Sequence, residues 1–126
     1  MITLIKQATV YAPEFLGEKD VLIADGRIAD IQDHIELTGE HVKVIEAKGE
    51  VLTPGFIDGH VHITGGGGEG SFRSRTPELT LTDATLNGVT TLVGVIGTDG
   101  TTRTMTNLLA KARALREEGI TCFCQT

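Results

Sequence analysis

Near Pro54 the hydrophobic pattern of this chain changes period, and that change limits the folds open to it more than any other feature. Before it, apolar runs of strand length follow one another with turn residues between: ITLIKQATVYA, DVLIAD, RIADIQ, HVKVIEA and EVLTPGF. Asp25-Gly26, between VLIA and RIADI, is a hairpin signal, because glycine accepts positive φ and aspartate tolerates the left-handed region. Ala47-Lys48-Gly49-Glu50 reads as another turn. Residues 1–54 are therefore expected to form a small antiparallel β lobe, with His34 and His41 in exposed polar connections and no ligand partner near either.

After Pro54 strands and helices alternate. FIDGHVHI reads as a strand, and a helix is expected to open at Thr76-Pro77-Glu78, with proline at the first helical position and an acid in the first turn, and to close at Gly88. VTTLVGVIG has the β-branched run of a strand buried on both faces of a parallel sheet. Residues 104–118 follow as an amphipathic helix with Met105, Leu108, Leu109, Ala112 and Leu115 on one stripe and Gly119 as its stop. ITCFC begins a third strand. The order βαβαβ predicts a parallel sheet with right-handed crossovers. Three strands do not close a barrel, and with no helix after Cys124 the pattern reads as a barrel cut short.

Charge narrows the partners. A formal net charge of −6 opposes nucleic acid or an anionic membrane, both of which call for a basic face. No stretch approaches the roughly 20 apolar residues of a membrane span, and the start lacks an apolar leader, so a cytoplasmic location is expected. Cys122 and Cys124 share one face of their strand, but two thiolates are half of a structural zinc site; they read as small buried hydrophobes.

The chemistry concentrates in PGFIDGHVH, residues 54–62. Residues i and i+2 of a strand point to one face, so His60 and His62 present two imidazoles side by side, a donor pair suited to zinc and related divalent ions. Two strand histidines hydrogen-bonded in a polar core are the plainer alternative. Directly after them comes TGGGGEG, at what would be the C-terminal end of a parallel strand, where β/α proteins place their sites. Its glycines let backbone amides approach a ligand. Glu69 is either a plain solvated acid or a loop carboxylate for which a substrate ammonium is the natural counterion.

The stretch GFIDGHVHITGGGGEGSFRSRTPELTLTDATLNGVTTLVGVIGTDGTTR resembles the amidohydrolase superfamily through PGFID-x-HVH, and the isoaspartyl (β-aspartyl) dipeptidase family through HVH-x₂-GGGGE, RTPE, GVT and GTD. The preceding β lobe and the later LLAKARAL-x-EEGI helix are similar to that family as well. The resemblance implies an α/β fold: an N-terminal β-sandwich lobe over residues 1–54, then the first β/α units of a TIM-type (β/α)8 barrel over residues 55–126. It implies that His60 and His62 bind the more buried of two zinc ions. It also implies that Glu69 pairs with the α-ammonium of a dipeptide and that Gly67 and Thr98 lie against it. The remaining metal ligands and the proton-shuttling aspartate are expected beyond Thr126, so no catalytic residue is expected within the chain. The implied activity is cleavage of the β-aspartyl bond by metal-activated hydroxide, in a homo-oligomer.

Two other readings compete. A cyclic-amide hydrolase of the dihydroorotase or hydantoinase type shares PGFID-x-HVH but has no need of GGGGE. A non-catalytic, oligomerising module would carry the β lobe and partial barrel without chemistry.

Overall fold

A computed structural model describes residues 1–125, and the chain divides into two compact units, Met1–Pro54 and Gly55–Thr126. In the first, strands β1 (Ile2–Tyr11), β2 (Phe15–Ala24), β3 (Arg27–Gln32), β4 (Val42–Glu46) and β5 (Val51–Leu52) form one sheet in the order β3-β2-β1-β4, with β5 also paired to β1. The Asp25-Gly26 hairpin is present: Ala24 faces Arg27, and the two turn residues have φ of 50° and 71°.

The lobe departs from the expected antiparallel sandwich. β1 and β2 pair antiparallel, as do β2 and β3, but β4 and β5 both run parallel to β1, and the described residues of this unit make a single sheet. The cause is the connection through residues 33–41, which carries the chain across the sheet, where a tight turn would have reversed it. Ala8, Val10, Val21 and Ala47 form the buried core of the unit.

One buried carboxylate holds that crossover. The β1–β2 register slips between Ile5 and Ala8, and Gln7, at φ 57°, turns its amide out of the ladder and donates to Asp20 Oδ1 at 2.8 Å. Asp20 Oδ2 accepts from the Ile35 amide at 2.9 Å. Burial pushes the Asp20 carboxyl toward the neutral form, but the amides of Ile35 and Gln7, with Lys6 and His34 nearby, outweigh it and hold the pKa below the ordinary value. His34 is exposed, as expected, yet its Nδ1 lies 3.5 Å from Asp20.

In the second unit β6 (Phe56–Val61), β7 (Val89–Gly94) and β8 (Thr121–Cys124) make a three-stranded parallel sheet in sequence order. Helix α1 is shorter than the sequence suggests: it spans Leu81–Thr85 and begins after Thr80, whose N–H and hydroxyl both donate to Asp83 Oδ2 at 2.7 Å. The Thr76-Pro77-Glu78 start is wrong because residues 76–79 are engaged elsewhere. The amides of Thr76 and Leu79 donate to the carbonyls of Gly66 and Ile63 at 3.0 and 3.1 Å, which keeps this stretch extended along the glycine loop.

Helix α2 covers Met105–Glu117, capped by Thr104 Oγ1, which accepts from the Asn107 amide at 3.3 Å. It ends with Gly119 N–H on Arg116 O and Ile120 N–H on Leu115 O, a left-handed cap that also brings Ile120 onto Leu115 in the core. Of the expected stripe, Leu108, Ala112 and Leu115 are buried, whereas Met105 and Leu109 are each about two-fifths exposed, so the covered face is narrower than the sequence pattern. Cys122 is fully buried and Cys124 partly so, both free thiols; burial, then the neighbouring Cys124, raises the Cys122 pKa, which fits a packing role. No helix among the described residues is long and apolar enough to cross a membrane.

Candidate functional site

The expected site residues all lie at the C-terminal edge of the parallel sheet. β6 stops at Val61, two residues short of the FIDGHVHI run that the sequence suggests, because the Val61 carbonyl is taken by the amides of both Ile63 (2.9 Å) and Val95 (2.8 Å). His62 thus sits just past the strand end. Its partner relationship with His60 survives the turn: the two rings stand edge to face, with centroids 5.4 Å apart. His60 is exposed and His62 half-buried. His62 Nδ1 is buried and has no hydrogen-bond partner among the described residues, which leaves a polar nitrogen in need of a proton acceptor, a donor or an ion. Two imidazoles and one unsatisfied nitrogen fit partial ligation of a divalent ion. The described residues contain no group of three or more His, Cys, Asp or Glu side chains that could hold one, so the pair alone does not complete a four-coordinate site.

The glycine loop that follows is held, not slack. Gly67, at φ 69°, lies so close to its surroundings that a Cβ there would come within 2.2 Å of the Ser74 carbonyl oxygen, and only glycine fits. The Gly66 amide donates to Thr76 Oγ1 at 2.7 Å. The amides of Gly68 and Gly70 both donate to Ser74 Oγ, at 3.2 and 3.1 Å, and Ser74 Oγ donates to the Ser71 carbonyl at 2.9 Å. Glu69 therefore sits between two amides fixed to one hydroxyl, while its side chain is exposed and makes no ion pair among the described residues.

Thr98 meets the same loop from the segment after β7: its hydroxyl donates to the Gly67 carbonyl at 2.7 Å. The structure thus brings Gly67 and Thr98 together, and the adjacent Gly66 lies against His62, since a Cβ on Gly66 would fall 3.7 Å from His62 Cβ. A shallow cavity of about 210 Å³ opens here, lined by Gly68, Phe72 and Thr98 among others. A larger one, about 650 Å³, lies in the first unit between Leu4, His34 and Val44 and contains none of the expected site residues.

Sequence reasoning missed the residues that fix this arrangement. Arg103 is 4% exposed and donates from Nη2 to the Gly66 carbonyl at 2.8 Å and from Nη1 to the Gly67 carbonyl at 3.1 Å. Charge-assisted bonds of this kind are typically worth about 1.5–3 kcal/mol each. Asp99, also buried, accepts from the hydroxyl and amide of Thr102 and from the Thr101 amide, with Arg75 Nε at 3.5 Å. The Thr102 hydroxyl, then its amide, holds the Asp99 carboxyl below the ordinary aspartate value against the opposing effect of burial. The one legible signal for these residues is the density of Thr, Asp and Arg in GTDGTTRT.

No protein-family model matches the chain. A solved β-aspartyl dipeptidase from Fervidobacterium islandicum AW-1 matches the structure over 100% of this chain and 35% of its own, with 46% identity and a TM-score of 0.93. A structure of β-aspartyl dipeptidase from the same organism in complex with β-Asp-Leu dipeptide matches 100% of this chain and 32% of its own, with 47% identity and a TM-score of 0.90. A dihydroorotase of Halalkalibacterium halodurans is 38% identical over 99 residues, 78% of this chain and 22% of that protein. The chain therefore spans about a third or less of each protein it is compared with.

Proposed function

We propose, starting from a chain that belongs to the amidohydrolase superfamily, that the protein carrying it hydrolyses the β-aspartyl peptide bond of dipeptides in a metal-dependent reaction. The observation that carries this reading is Glu69, an exposed carboxylate with no ion pair among the described residues, on a loop whose backbone is fixed on both sides and which follows the His60–His62 pair in the chain. A dipeptide linked through the aspartyl side chain keeps its α-ammonium beside the scissile amide, and an unpaired carboxylate is the group that would select it.

His60 and His62 would hold a divalent ion, and zinc suits imidazole nitrogen. Bound there, it would supply Lewis acidity toward the scissile amide. Glu69 would orient the substrate through the ammonium, and Gly67 and Thr98 would line the face against which the dipeptide lies. The barrel closure, the second ion, the proton-transferring aspartate and the homo-oligomer belong to the same proposal for the whole protein. Similarity to dihydroorotase over most of the chain favours one other reading, a cyclic-amide hydrolase, in which Glu69 has no ammonium to bind.

The test is a direct comparison. The protein carrying this chain, purified with zinc supplied, is assayed for release of leucine from β-Asp-Leu, from N-acetyl-β-Asp-Leu and for ring opening of dihydroorotate. Fast turnover of the free dipeptide with strong discrimination against the acetylated one is the expected result. Ring opening without dipeptide cleavage would move the assignment to the cyclic-amide hydrolases.

A further inference from the structure

Arg103 is a cation with almost no access to water, and no carboxylate lies within ion-pair distance of it among the described residues. A buried charge without a counterion is costly unless strong dipoles replace its hydration. Here the glycine loop supplies the replacement for Nη1 and Nη2, while Nε has no partner among the described residues. The Gly66 carbonyl accepts from the Thr76 amide (3.0 Å) and Arg103 Nη2 (2.8 Å), and the Gly67 carbonyl accepts from Thr98 Oγ1 (2.7 Å) and Arg103 Nη1 (3.1 Å). Each carbonyl thus accepts twice, and one planar guanidinium spans two consecutive peptide units. Only a fork with fixed spacing does this; an ammonium is a single point. Two glycines also approach the guanidinium closely, since a Cβ on Gly65 would fall 3.1 Å from Arg103 Nη2 and one on Gly97 would fall 2.9 Å from Nη1.

We propose that Arg103 is a positioning residue: by latching the carbonyls of Gly66 and Gly67 it fixes the loop that carries Glu69, and so sets the preference for a free α-ammonium. The latch itself needs only the geometry; its effect on substrate choice rests on the β-aspartyl dipeptidase reading. The coupling runs through the backbone. Gly67 is two residues from Glu69, and the Ser74 hydroxyl holds the amides on either side of Glu69, so rotation of the peptide after Gly66 would carry the carboxylate with it.

The experiment compares wild type with Arg103→Lys, which keeps the charge and loses the fork, and Arg103→Met. Amide hydrogen exchange is read at residues 66, 68 and 70 and at core residues 90–95 and 108–115. Free-amine against N-acetyl preference and zinc content are measured on the same samples. The expected result is about tenfold or more faster exchange at the loop amides with the core unchanged, the zinc content retained, and a preference for the free dipeptide reduced about tenfold. In a Glu69→Gln background Arg103→Lys should add little, because both act on one contact. Unchanged loop exchange in Arg103→Lys overturns the latch, as does a uniform loss of protection across the core. Equal losses on both dipeptides would overturn its role in substrate choice. If Arg103→Met does not fold, Arg103→Lys decides. If the wild type leaves β-Asp-Leu intact, the dipeptidase reading fails while the exchange comparison still judges the latch.

Discussion

Thr98 Oγ1 donates to the carbonyl oxygen of Gly67 at 2.7 Å, which ties the segment after β7 to the glycine loop after β6. Parallel strands place their C-terminal ends on one edge, and this bond converts two neighbouring loops into one surface. Two of the three residues that the family resemblance nominates for substrate contact, Gly67 and Thr98, are joined to each other without any substrate.

The glycine at the centre of that surface admits no side chain. Gly67→Ala would drive a Cβ against the Ser74 carbonyl while demanding φ near 69°, so the loop must move. Strain of this kind costs on the order of 1–3 kcal/mol. The expected outcome is faster amide exchange at residues 66–70 with the sheet intact; an unaltered exchange pattern would show that the loop has slack.

Metal uptake by the 126-residue chain alone should be weak, because His60 and His62 supply two ligands and the described residues offer no third nearby. Elemental analysis after purification should find well under one zinc per chain, and His60→Ala or His62→Ala should reduce even that. Tight stoichiometric zinc in the chain would mean that further ligands exist within it.

In the whole protein Glu69→Gln should leave metal content and fold intact and weaken reaction of β-aspartyl dipeptides. Loss of one partner of a charge-assisted contact typically costs about 2–5 kcal/mol, or on the order of 30-fold to several thousand-fold in kcat/KM. The N-acetylated dipeptide should lose much less. A mutant with full activity and an unchanged preference for the free amine would reduce Glu69 to a solvated loop acid.

Acid should loosen the Asp99 turn late. A carboxyl whose folded pKa is depressed contributes stability above its unfolded value of about 3.9 and loses it only as pH falls through the lower folded value. The amide signals of Thr101 and Thr102 should therefore stay constant down to about pH 4 and change below it, and Asp99→Asn should remove the transition. A transition at higher pH would contradict the hydrogen bonds to Thr102.

What the sequence discloses is local in origin. Asp25-Gly26 marks its hairpin because the turn chemistry lies within two residues, and FIDGHVH marks the imidazole pair because a strand has period 2. Residues 104–118 give a helix whose cap and stop are adjacent to it in the chain. The failures involve partners far apart. Residues 76–79 look helical by themselves and are kept extended by carbonyls at Ile63 and Gly66. Arg103 reads as one more surface cation, but its acceptors lie 36 and 37 residues earlier. Asp20 looks like a polar residue at a strand position, and only the bulge at Gln7 and the return of the chain at Ile35 show why it is buried.

The placing of β1 between antiparallel and parallel neighbours divides the first unit in time as well as in space. β1, β2 and β3 join through short turns, so their pairing closes small loops, whereas Ile2 meets Val42 only across forty residues of chain. On loop-closure entropy the longer loop is expected to close after the meander exists to receive β4. Substitutions around the Asp25-Gly26 hairpin are then expected to slow folding of the unit, and substitutions in β4 to speed its unfolding, which stopped-flow kinetics would check.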